Sequence, residues 1–277
     1  MISAPIFKEK SYIWGKLESF FYILLIGLFL ASCATAPYTG RRQFILLSPD
    51  QELALGQRVA QQILHKARLS NDPYYVNLVE KLGWRIAKAV NRPDFQWEFH
   101  VIDDAKTANA FCLPGGKIFV YTGIFKYVQT EAELATVIGH EIAHALARHG
   151  AERMSMQLLA QMGEQAAAKA LQIQSHRTLK IFEIAYGLGA NIGLILPYSR
   201  TQEFEADHIG LILMAKAGYN PEAALSFWQK MASEAKGFKP PPFLSTHPAD
   251  KARIDRIKTM LPEALEYYQA GQRKIAD

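Results

Sequence analysis

VIGHEIAHALARHG, residues 137–150, is the stretch on which the reading of this chain turns. From Leu134 to Ala147 every residue is apolar or small except His140, Glu141 and His144. At about 100° per residue, two histidines four apart stand one helical turn apart on the same face. His140 and His144 can therefore grip one ion, and the HExxH spacing sets Glu141 beside the water that such an ion activates. An unpaired charged trio in a buried helix costs several kcal/mol, so the arrangement makes sense only if it is paired or metal-bound. Thr130 and Glu133 have the spacing of a capping box that starts this helix, expected over 130–149.

Zinc in catalytic sites takes three protein ligands and keeps a position open for water, so a third ligand is needed. His149 lies about 140° around the expected helix from His144 and is read as pointing elsewhere. The elongated HExxHxxGxxH pattern fails, because position 147 is Ala and position 150 is Gly. The best candidate is SRTQEFEADHIG (199–210), where Ser199 and Gln202 form a second capping box and Glu203 falls in the first turns. Glu203 and Asp207 share a face while Glu205 points away. A carboxylate that binds the ion and another that orients a ligand histidine are what such sites use.

The rest of the chain frames this site. With 49% hydrophobic and 21% charged residues over 277 positions, it can bury a sizeable core. The net charge of +5 is scattered, with no basic block for nucleic acid. Lys8, Lys10 and Lys16 precede a 12-residue apolar run, residues 20–31, which is short of the about 20 residues of a membrane span. The run ends in LASC, residues 30–33, which resembles the lipobox of bacterial lipoproteins. Residues 1–32 then read as a signal peptide, Cys33 as the lipidated N-terminus, 33–44 as a short tether and 45–277 as the enzyme domain. Ala34 after Cys33 implies the outer membrane. Cys112 would be left alone, a small buried hydrophobe.

Helices are expected over 73–90, 151–175, 200–217, 221–236 and 248–260, with another opening at Ser48, Pro49 and Gln51. Strands are expected at 96–103 and at Lys117 to Tyr121 after a Pro-Gly-Gly turn, with KTANAF as a link. The apolar segment near 179–196 is read as a buried or interfacial helical hairpin rather than a span.

Four motifs in order, NAFCLPGGKIFVYTG, HEIAHALARH, SRTQEFEADHIG and STHPADKAR, resemble the zinc metallopeptidases related to HtpX and the CAAX prenyl endopeptidase. The likeness spans roughly residues 40–260. It is strongest to the soluble-domain members, the mitochondrial inner-membrane quality-control type and the bacterial periplasmic lipoproteins. The resemblance implies an α+β, predominantly helical, zincin-like (gluzincin) fold with a small sheet. It implies one Zn²⁺ per chain on His140, His144 and Glu203, with Asp207 supporting them and Glu141 as general base. Asn109 and the strand Lys117, Ile118, Phe119, Val120 and Tyr121 correspond to the family's substrate-binding edge. His247 matches an HP motif near the active site: it either donates to the developing oxyanion or takes the fourth zinc position, unless it merely starts a helix before Pro248. The expected function is an endopeptidase degrading unfolded or misassembled cell-envelope proteins, membrane-attached through Cys33 and facing the periplasm. A chaperone or assembly factor working with the outer-membrane assembly machinery, its peptidase gated by His247, is the alternative.

Overall fold

A computed structural model describes residues 33–36, 38–161, 176–185, 198–235, 237 and 240–276. The expected signal peptide over 1–32, the end of the expected helix 151–175 and residues 186–197 of the apolar segment lie outside the described residues. The architecture is α+β and predominantly helical, as the resemblance implied.

The described chain opens with two short strands, β1 (Cys33–Thr35) and β2 (Arg42–Phe44), paired antiparallel with Cys33 opposite Phe44. The pairing of β1 with β2 therefore makes a hairpin where the Pro, Thr and Gly content suggested a tether. Gln43 is buried and its Nε2 donates to Ala147 O at 2.6 Å. Helix α1 (Pro49–Lys66) begins at the expected capping box of Ser48 and Gln51, both halves of which form. Helix α2 (Pro73–Val90) is capped by Asp72 and ends at Asn91 in the left-handed region.

A three-stranded sheet follows: β3 (Glu98–Ile102), β4 (Ala110–Leu113) and β5 (Lys117–Tyr121), in the order β3-β5-β4. Strand β3 runs parallel and β4 antiparallel to β5. The turn at Gly115 and Gly116 has φ of +86° and +82°, and a Cβ on Gly116 would come within 2.6 Å of the Trp97 ring, so only glycine serves there. Strand β4 escaped the sequence reading because its residues, AFCL, are all buried and show no alternation. Its presence corrects the assignment of the substrate edge. Lys117, Ile118, Phe119, Val120 and Tyr121 form the central strand, bonded on both sides, so no peptide can add to them; β4 carries an edge instead.

The sheet is buried on both faces. Phe99, Val101, Cys112, Ile118 and Val120 join one core with α2 and the HExxH helix, whereas Phe111, Leu113 and Phe119 join a second core with α1. After a 3-10 turn (Thr122–Lys126) come α3 (Glu131–Leu146), α4 (His149–Gln161), α5 (His176–Ala185), α6 (Arg200–Lys216), α7 (Glu222–Glu234), α8 (Phe243–Thr246) and α9 (Lys251–Ala276). The helix expected over 130–149 ends at Leu146, and the next one, expected from 151, already begins at His149. Arg148 adopts φ 56°, and its side chain bonds Glu52 at 2.6 Å and Leu47 O at 3.0 Å, which fixes the break. Helix α9 continues past its expected end at 260 with Pro262 inside it. No helix among the described residues is long and apolar enough to cross a membrane.

Candidate metal centre

Helix α3 carries the first two candidate ligands through the middle of the core. Thr130 caps it by accepting from Glu133 N, but the Glu133 carboxylate accepts from Gln129 N and pairs with Lys230, so only half of the expected capping box forms. Helix α6, whose capping box at Ser199 and Gln202 is complete, crosses α3 at two glycines. A Cβ on Gly210 would lie 3.1 Å from Gly139 C and His140 N, and one on Gly139 3.1 Å from Gly210 O. Glycine at both positions lets the backbones meet, and the Glu203 and Asp207 side chains thereby reach His140 and His144.

His140, His144, Glu203 and His247 each offer one ligand atom, all within 4.8 Å of one another and all buried. His140 Nε2 lies 3.0 Å from His144 Nε2 and 3.5 Å from Glu203 Oε2, and His144 Nε2 lies 3.3 Å from Glu203 Oε1. Four-coordinate zinc, with bonds of about 2.0–2.1 Å, holds neighbouring ligand atoms about 3.3 Å apart. Two imidazole nitrogens bearing lone pairs repel at 3.0 Å unless a cation or proton lies between them. The donor set fits such an ion.

The surroundings of these four residues are strongly ordered. Asp207 Oδ1 lies 3.0 Å from His140 Nδ1, turning its Nε2 toward the cluster. Arg253 from α9 reaches Glu203 Oε2 at 2.5 Å and both Asp207 oxygens at 2.7 and 2.8 Å. Its guanidinium lies 3.3 Å from the centroid of the Trp228 ring. The sequence reading named Arg253 only as part of the STHPADKAR motif, yet this fully buried cation balances two buried carboxylates.

Burial pushes the Glu203 carboxyl up, but the Arg253 and His247 charges and hydrogen bonds from His140 and His144 hold it well below the usual carboxylate range. Burial and Arg253 oppose a proton on His140, while Asp207 and Glu203 hold its pKa up to about 9. Burial first, with the charge of His140 adding to it and Glu203 opposing, drives His144 well below the usual imidazole value and, with Arg253 adding as well, brings His247 to about 4. His144 and His247 are thus neutral donors beside an ionised Glu203, and His140 gives up its proton when an ion binds. Glu141 is pushed up to about 8, first by burial and then by Glu203, with His140 and Arg253 opposing.

His247 ends α8 rather than starting a helix. Its Nδ1 lies 3.0 Å from Glu203 Oε1 and 3.2 Å from His140 Nε2, and its Nε2 3.4 Å from Glu141 Oε1. Tyr198, which the sequence reading passed over, stacks on His247 and tilts over His144 at 3.9 Å between centroids. Beside it a cavity of about 10 Å³ is lined by Asn109, Ala110, Phe111, Cys112, Glu141, Tyr198, Thr246 and His247. Asn109 Oδ1 is buried there with no hydrogen-bond partner among the described residues. Cys112 is a buried free thiol whose pKa burial raises well above the ordinary value, and its burial matches the expectation of a small buried hydrophobe.

His149 overturns one expectation. It opens α4 and does not continue α3, so its ring turns back and sets Nδ1 3.0 Å from His144 Nδ1. It stands outside the ligand cluster, but behind a ligand and not away from it.

Comparisons with known proteins agree with this geometry. A family model described as peptidase family M48 matches residues 57–261. The mitochondrial metalloendopeptidase OMA1 of Schizosaccharomyces pombe is 38% identical over 232 residues, 82% of this chain and 66% of that protein. OMA1 of Saccharomyces cerevisiae is 31% identical over 287 residues, 94% of this chain and 79% of that protein. The beta-barrel assembly-enhancing protease of Escherichia coli K12 is 30% identical over 271 residues, 89% of this chain but 53% of that protein. The chain thus spans between about half and four fifths of the length of these relatives.

Proposed function

The chain belongs to peptidase family M48, and from that premise we propose that it is a zinc-dependent endopeptidase whose metal is held by His140, His144 and Glu203. The observation that carries this reading is the convergence of two imidazoles and one carboxylate, all buried, at spacings that suit zinc. When bound, zinc polarises the scissile carbonyl and lowers the pKa of water toward about 7. Glu141, one residue along from His140, takes the proton of the attacking water and passes it to the leaving amine. Asp207 orients His140, and Arg253 keeps Glu203 and Asp207 ionised. The peptide lies extended along the edge of β4, where Asn109 Oδ1 can accept from its backbone.

Replacing Glu141 by Gln is expected to leave zinc content unchanged and to abolish peptide hydrolysis, measured on an unfolded protein substrate. Full hydrolysis by that variant overturns the reading.

The finer setting is degradation of misfolded or stalled envelope proteins by an enzyme anchored through Cys33 in the outer membrane. LASC at 30–33 and the E. coli relative support it, whereas the S. pombe relative, at the higher identity of 38%, is mitochondrial. Metabolic labelling with a fatty acid tests the anchor: wild type should label and Cys33→Ala should not. An unlabelled wild type removes the anchor and the outer-membrane setting with it.

One observation favours a second reading, a client-binding assembly factor with a gated peptidase. His247 offers the cluster a fourth ligand atom that would compete with water for a bound ion, and the adjoining cavity holds no more than about one water. His247→Ala should then cleave an unfolded client several-fold faster than wild type. If neither cleaves while both suppress client aggregation, the binding role prevails.

A further inference from the structure

We propose that the N-terminal hairpin is a working part of the metal centre: Arg41, through Glu205 and His149, holds the ring of His144 with its Nε2 lone pair toward the ion. This rests on the reading of His144 as a metal ligand. His144 Nδ1 and His149 Nδ1 are 3.0 Å apart, so one donates and the other accepts. A ligating Nε2 must be free of a proton, which leaves the His144 proton on Nδ1 and makes His149 Nδ1 the acceptor. The His149 proton is then on Nε2, which donates to Glu205 Oε2 at 2.9 Å. That oxygen also accepts from Arg41 Nε at 2.7 Å, while Thr39 at the hairpin turn donates to Glu205 Oε1.

Arg41 is in turn clamped. Its Nη1 and Nη2 donate to the two Glu152 oxygens at 2.8 and 2.7 Å, and Gln202 Nε2 donates to Glu152 at 2.8 Å. His149 is fully buried and Glu205 nearly so, which shields the bond between them from water. Donation thus runs outward from His144 through His149 to Glu205, and Arg41 and Thr39 donate inward from the hairpin to the same carboxylate. Removing Arg41 frees Glu205, and removing His149 lets His144 take its other tautomer, with a proton on the nitrogen that must bind. His149, Glu205 and Arg41 are thus positioning residues.

The test uses the full chain. Zinc affinity is measured by competition with a chromophoric chelator for wild type, Arg41→Ala, His149→Phe and His149→Gln, alongside the metal-free Tm of each. Loss of an outer partner of a ligand histidine typically weakens metal binding by about 10- to 100-fold. His149→Phe should lose that much and Arg41→Ala part of it, with the Tm of Arg41→Ala close to that of wild type. His149→Gln should recover most of the affinity, because its amide can accept from His144 and donate to Glu205. Nitrogen-15 histidine NMR should find a slowly exchanging Nδ1 proton on His144 in wild type and lose it in His149→Phe. Equal zinc affinity in wild type, Arg41→Ala and His149→Phe overturns the relay and leaves the proposed ligand set standing. A wild type that takes up no zinc overturns both.

Discussion

The two histidines of one helix are held from behind in opposite ways. His140 meets the Asp207 carboxylate directly, and Arg253 locks that carboxylate from the other side. His144 meets another imidazole, His149, and only beyond it the Glu205 carboxylate and Arg41. The first support lies wholly inside the core, on α6 and α9. The second runs out to a half-buried arginine on a hairpin near the chain's start. The same demand, a fixed tautomer, is thus met once by deep burial and once by a longer series ending near solvent. The deep support should matter more to folding and the shallow one more selectively to the metal.

The largest effect is expected from Arg253→Met, which leaves Glu203 and Asp207 buried without their cation. Breaking a buried ion pair from one side typically costs about 3–5 kcal/mol, so the urea midpoint should fall steeply. Arg41, partly exposed, should cost about 1 kcal/mol or less when replaced by Ala. Comparable losses for the two variants would erase the contrast between them.

A middle-sized effect belongs to the glycine crossing. Gly210→Ala places a methyl 3.1–3.2 Å from backbone atoms of Gly139 and His140, which cannot swing aside. Overpacking of this kind costs about 1–3 kcal/mol and moves α6 with its carboxylates away from His140. Calorimetry would measure the loss, and zinc affinity should fall with it. An unchanged Tm would mean that α3 and α6 can separate without strain.

The smallest effect sharpens the shallow side. Burial pushes the Glu152 carboxyl up, but hydrogen bonds from Arg41 and Gln202 hold it below its ordinary 4.5. A depressed carboxyl contributes stability above its unfolded pKa and loses it as pH falls through the folded value. Hydrogen exchange in residues 33–44 should therefore quicken as pH drops below about 4.5, after correction for the intrinsic rate. Glu152→Gln should flatten that dependence. An identical pH profile in both proteins would detach Glu152 from hairpin docking.

How far the sequence reached follows from how local each signal was. The start and end of α2, the caps of α1 and α6, and the shared face of His140 and His144 were legible because each depends on residues within one or two turns. The position of the break between α3 and α4, expected near residue 150 and found at 147–148, was not, because Arg148 is held in its left-handed conformation by Glu52, 96 residues away in the chain. Strand β4 gave no alternation because both its faces are covered. The hairpin resembled a linker because its pairing partners are three residues each and its anchors lie on α4 and α6.

The sequence by itself determined the chemistry: which side chains could bind zinc, which could serve as base, and that HExxH required a distant carboxylate. Only the tertiary structure decided which strand offers an edge, that His247 sits inside the ligand cluster, that Arg253 balances the buried acids, and that His149 stands behind His144. The reason is physical: helical periodicity fixes the direction of a side chain along one element, whereas the partner it meets depends on where another backbone crosses. Here that crossing is set by two glycines, Gly139 and Gly210, which bring α3 and α6 to within 3.1 Å of any added methyl.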